Sequence, residues 1–122
     1  MLDTSRAIRD EIMSRPESER LSGEYSTAID RTDSGEYFFR RLDYEACVGM
    51  CRTTPPRVLP RTEALVHSHP RNTPPSFPQD FDVTNRAGVL GVLIDATNGA
   101  IRYFQGSRYW TVDGPPLPGE PR

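Results

Sequence analysis

The sequence predicts an α/β fold, on three observations. Residues 4–15 place Ile8 and Ile12 one helical turn apart, flanked by Ala7 and Met13, so a narrow apolar stripe runs with the helical period. Short runs rich in β-branched and aromatic residues, among them 24–30, 36–42 and 89–95, are bounded by turn residues in the manner of strands. A second, shorter helix is expected from Asp80 to about Ala87, between strand-like runs.

Taken in order, Asp3 or Thr4 can cap the first helix and Pro16 stops it. The polar stretch Pro16–Gly23 is expected to be a loop. Residues 24–30 and 36–42 then form an antiparallel hairpin around Arg31-Thr32-Asp33-Ser34-Gly35. Tyr37, Phe38, Phe39 and Tyr44 are expected to pack on the core or on strand faces. Residues 44–50 fit neither helix nor strand cleanly. Residues 52–61, with three prolines, should cross the surface as an irregular loop.

Ala64-Leu65-Val66 predicts a buried strand that runs into His67-Ser68-His69 and ends at Pro70, which cannot donate to a sheet ladder. Residues 71–79 hold three more prolines and form a loop before the second helix. Val89–Asp95 and Ala100–Phe104 flank the turn Thr97-Asn98-Gly99 as a second hairpin. Tyr109–Val112 is a last strand, with Trp110 as a core lid over it or a lining of a substrate groove. Residues 1–113 thus form one domain, and Gly114–Arg122 a Pro/Gly-rich tail, loosely draped.

The composition bounds the function. The chain has 122 residues, enough for one domain with a modest core. Its net charge is −2, which gives no electrostatic reason to seek nucleic acid or an anionic membrane surface. No apolar stretch approaches the length of a membrane span, and the N-terminus lacks the pattern of a signal peptide. A cytoplasmic protein is expected, or one exported by a dedicated secretion machine. All 15 basic residues are arginine. A GC-rich genome explains this more simply than avoidance of a lysine-directed modification. Cys47 and Cys51 are too few for a disulfide framework or a zinc knuckle, and two free thiols are expected ahead of a local disulfide.

The chemistry concentrates in one block. On a strand, residues two apart point to the same side, so both imidazoles of His67 and His69 can reach one metal. These are the only histidines in the chain. A catalytic zinc takes three protein ligands and keeps one position open. Asp80, beyond a proline-stiffened loop, supplies a third ligand. Glu24, at the start of the first strand, is placed to act as general base, and the Ser76 hydroxyl to donate to an oxyanion.

The run His67-Ser68-His69-Pro70, then Pro75-Ser76, then Asp80, with Gly23-Glu24 upstream, resembles the JAMM (MPN-type) zinc metallopeptidase motif. The similarity spans most of residues 4–104 and is closest to the compact bacterial JAMM-like domains of polymorphic-toxin and related proteins. The resemblance implies a mixed β-sheet flanked by helices, similar to the deaminase-like architecture. It implies Zn2+ held by His67, His69 and Asp80, Glu24 activating the zinc-bound water, and Ser76 steadying the tetrahedral intermediate. It also implies hydrolysis of peptide or isopeptide bonds, with a protein or peptide as substrate, a ubiquitin-like protein for instance, or an immunity protein as partner. The family places two residues between Ser and Asp. Here Phe77, Pro78 and Gln79 make three, so the family's Ser position falls on Phe77. That departure keeps two alternatives open: a catalytically impaired binding or scaffold module, and a toxin domain hydrolysing another amide. Nucleotide deamination is disfavoured, because that chemistry needs His-x-Glu and Pro-Cys-x-x-Cys, which the chain lacks.

Overall fold

The computed structural model describes residues 1–47, 51 and 54–120. Helix α1 (Leu2–Met13) buries Ser5, Ile8 and Ile12 on one stripe, and a one-turn helix α2 (Glu17–Arg20) follows Pro16. The loop expected over 16–23 therefore contains a helical turn. Pro16 fixes a backbone angle suited to opening a helix even as it closes the one before.

Seven strands follow: β1 (Gly23–Arg31), β2 (Tyr37–Phe39), β3 (Asp43–Ala46), β4 (Thr62–His69), β5 (Leu90–Asp95), β6 (Ile101–Gln105) and β7 (Arg108–Asp113). Helix α3 (Gln79–Ala87) connects β4 to β5. The strands form one open mixed sheet in the order β2-β1-β4-β5-β6-β7, with β3 also paired to β1. Every pairing is antiparallel except β4 with β5. A parallel pair needs a crossover, and α3 supplies it.

The two sheet faces differ. Ile8 and Ile12 of α1 join Tyr25, Ile29, Ala64, Val66, Val92, Ile94 and Ile101 in the main core. On the opposite face, Phe81 of α3 packs with Leu93 and Phe104, and Ala28, Leu65 and Val89 form a smaller cluster. Strand alternation explains the division: Val66 points to α1, while Leu65 and His67 point to the side of α3. Gly91 is required on that second face, because a Cβ there would lie 2.2 Å from the Phe104 ring. Gly88 ends α3 in the left-handed region at φ 69°, where glycine carries no Cβ penalty.

Several expectations change. Tyr37, Phe38 and Tyr44 are each more than a third exposed, because β2 and β3 lie on the outer edge of β1. Phe39 packs against the core, and the Tyr44 ring lies 4.9 Å from that of the core residue Tyr25. Trp110 is 39% exposed and meets edge-on Tyr103, which packs against the main core, so it covers the core edge only in part. Cys47 and Cys51 form a disulfide rather than two thiols: their Cα atoms are 4.5 Å apart, and the Cys47 N–H is tied to the Ser22 carbonyl at the end of the β1–β3 ladder. Of residues 44–50, β3 accounts for 44–46, and 48–50 lie outside the described residues, as do 52–53 of the expected surface loop and 121–122 of the tail.

The tail is anchored rather than draped. Leu117 is buried, the Pro115 carbonyl accepts from Arg102 Nη2 at 3.1 Å, and Glu120 accepts from the Thr111 N–H and hydroxyl. Proline and glycine composition reports the lack of regular structure but not the lack of packing. Among the described residues, no helix is long and apolar enough to cross a membrane.

Candidate metal centre

The centre lies at the C-terminal end of β4, on the α3 face. His67 and His69 share that face because they are two residues apart on a strand. Their Nε2 atoms are 3.2 Å apart. Asp80 is the second residue of α3, where the helix N-terminus favours a negative charge. Its Oδ2 lies 3.1 Å from His67 Nε2 and 3.3 Å from His69 Nε2. The three residues form a group that can hold a metal ion. Asp82, one α3 residue beyond Phe81, is exposed and outside that group.

The three groups are electrostatically coupled. Burial pushes the Asp80 carboxyl up, but the imidazoles of His67 and His69 and the Ser76 N–H outweigh it and hold the group far below the usual carboxylate range. Burial likewise pushes His67 down, and the carboxylates of Asp80 and Glu24 reverse the effect and leave it raised. Two imidazole nitrogens and a carboxylate oxygen this close can share protons or together hold a metal ion.

Glu24 reaches the centre through strand register. Ser26 is the partner of His67 in the antiparallel β1–β4 ladder, so the same count carries Glu24 to the level of His69. Beyond the last ladder pair, the Tyr25 N–H donates to Ser68 Oγ at 2.9 Å and keeps the two strand ends together. Glu24 is buried, with its Oε2 4.0 Å from His69 Nε2.

Ser76 contributes through its backbone. Its N–H donates to Asp80 Oδ2 at 2.7 Å, and the Asp80 N–H donates back to the Ser76 carbonyl at 2.9 Å. The loop therefore closes on itself with three residues between Ser76 and Asp80, and Asp80 reaches the histidines in spite of the longer spacing. Phe77 is 71% exposed and meets Phe81 edge-on at 5.8 Å.

A cleft of about 450 Å³ opens over the centre. Leu65, Val83, Phe104, Pro55 and Pro56 make it largely apolar, and Glu24 and Ser76 also face into it. Phe104 meets the His67 ring edge-on at 6.0 Å. Three contributors escape sequence reasoning. Thr73 Oγ1 lies 3.1 Å from His69 Nδ1. Asp95, the ladder partner of His69, is buried against Arg102 Nη1 at 3.2 Å. The Ala96 N–H donates to the His69 carbonyl at 3.0 Å. No spacing rule points to Thr73; Phe104 is signalled only by a strand glycine, Gly91, which often marks a close approach.

An open mixed sheet carrying a His/His/Asp cluster at a strand end defines the chain as an α/β protein with a candidate metal centre. Comparison with protein-family models, curated proteins and solved structures gives no match, so the site is read from its own geometry.

Proposed function

We propose that the chain is a zinc-dependent hydrolase of peptide or isopeptide bonds, with the MPN-type architecture and the JAMM-like order of its motif. The observation that carries this reading is the close triangle of His67 Nε2, His69 Nε2 and Asp80 Oδ2, with edges of 3.1 to 3.3 Å and a buried carboxylate, Glu24, beside it. Zinc bonds of about 2.0–2.1 Å in a tetrahedron imply donor separations of about 3.3 Å. Two imidazoles and one carboxylate are also the donor types a catalytic zinc takes.

Zinc, when bound, supplies a Lewis acid that lowers the pKa of water and polarises a carbonyl. The chain's own residues do the rest. Glu24 takes a proton from the attacking water and returns it to the departing nitrogen, a role suited to a carboxylate held at the edge of the ligand set. Asp80 is kept ionised by its hydrogen bonds and stays a ligand. The apolar cleft walls exclude competing water and receive the chain of a protein or peptide substrate.

A second reading, a binding module with the same fold and no turnover, is favoured by one observation: three residues rather than two separate Ser76 from Asp80. Zinc analysis of the purified chain combined with hydrolysis of a peptide and isopeptide panel separates the two. About one zinc per chain with cleavage supports the hydrolase. One zinc with no cleavage supports the binding module. No zinc overturns both.

A further inference from the structure

We infer that Thr73 is the positioning residue that fixes the metal-binding tautomer of His69; this rests on the zinc reading above. The observation is the 3.1 Å contact between His69 Nδ1 and Thr73 Oγ1, on the side of the ring opposite the nitrogen that faces His67 and Asp80. A neutral imidazole carries one N–H and one lone pair. With the proton on Nδ1, the N–H donates to the Thr73 hydroxyl and the Nε2 lone pair is directed at the cation. With the proton on Nε2, that N–H is aimed at Asp80 Oδ2 and the ligand is lost. A histidine that ligates through Nε2 must carry its proton on Nδ1, and the Thr73 oxygen is the acceptor placed to hold that proton and the ring in this state.

The loop is built to hold this acceptor still. Thr73 stands between Pro70 and Pro74-Pro75, whose rings fix their backbone angles, and its own N–H donates to the Arg71 carbonyl at 2.9 Å. The far end of the loop is fixed by the Ser76–Asp80 pair of bonds. His69 itself is held by the Ala96 N–H on its carbonyl. One short proline-rich segment thus delivers both the third ligand and the partner that orients the second. Among the described residues, the hydrogen bonds of His67 are made by Nε2, and its Nδ1 has no corresponding partner.

The test is zinc affinity by competition with a chromophoric chelator, with Thr73→Val as the near-isosteric variant and Thr73→Ser as the rescue. We expect Thr73→Val to bind zinc about 10- to 100-fold more weakly, the usual effect of removing such an outer partner, and Thr73→Ser to stay close to wild type. The Co2+ form of Thr73→Val should also show an altered ligand-field spectrum. Thr73 is exposed, so the variant should fold, and far-UV circular dichroism checks this. A second measurement needs no variant: in the zinc-loaded wild type, the His69 Nδ1–H should give a downfield proton resonance protected from exchange with water. Equal zinc affinity in Thr73→Val and wild type, or an unprotected Nδ1–H, overturns the role of Thr73 and leaves the zinc reading standing. A wild-type chain that binds no zinc overturns both.

Discussion

The Glu24 carboxylate stands 4.0 Å from His69 Nε2, although 45 positions separate the two along the chain. The antiparallel β1–β4 register makes the approach, and the Tyr25–Ser68 hydrogen bond holds it where the ladder ends. If Glu24 moves the proton, Glu24→Gln should lower turnover by about 10²- to 10⁴-fold and leave the zinc content unchanged. Metal analysis and steady-state kinetics on the same preparation check this. Retained cleavage removes Glu24 from the mechanism.

Asp80 joins the two histidines and accepts the Ser76 N–H. Asp80→Asn should lose zinc and with it the stabilisation that ligand binding gives to a folded chain. At a free zinc concentration 100 times the dissociation constant, that stabilisation is about 2.7 kcal/mol in the wild type. Thermal unfolding with and without zinc should show a shift for the wild type and almost none for Asp80→Asn. An equal shift in both would exclude Asp80 as a ligand.

Gly91 lets the Phe104 ring lie across β5 and reach His67. Gly91→Ala forces a methyl group into that ring and should cost about 1–3 kcal/mol. Displacement of Phe104 should also raise KM more than it lowers kcat, since the ring is a cleft wall rather than a proton carrier. Denaturant unfolding and a kinetic comparison test both parts.

Far from the centre, Asp30 is fully buried at the end of β1, where it accepts from Arg40 and Thr62, with Arg61 at 3.6 Å. The hydrogen bond from Arg40 holds its carboxyl below the ordinary value, against the opposing effect of burial. A carboxyl depressed on folding adds stability above its unfolded pKa, about 3.9, and loses it as pH falls from there through the lower folded value. Asp30→Asn should therefore cost about 2–3 kcal/mol at neutral pH, discounted because Arg40 is partly exposed, and flatten the acid limb of the stability curve below about pH 4. Urea unfolding from pH 7 to pH 2.5 measures both. An acid limb as steep as that of the wild type would argue against the network.

Much of the centre was legible beforehand because its signals are local. His67 and His69 share a face by the two-residue period of a strand, and Asp80 begins a helix, which a proline loop and an acidic start announce. The first helix and the two hairpins followed from periodicity and turn residues, within a residue or two at most ends. The single turn of α2 was missed because four residues carry no period to detect. The exposure of Tyr37, Phe38 and Tyr44 was missed because aromatic residues suit a strand equally well at an edge and in the middle of a sheet.

By itself, then, the sequence determined the longer elements, the shared face of the two imidazoles and the order in which the donors arrive, all of them consequences of interactions within a few residues. The tertiary structure decided that Glu24 meets His69, that Thr73 backs that imidazole, that Cys47 bonds Cys51 and that Leu117 is buried. The first of these depends on which segments pair and in what register. Register is settled by burying one sheet face against α1 and the other against α3, a choice made by the whole core at once.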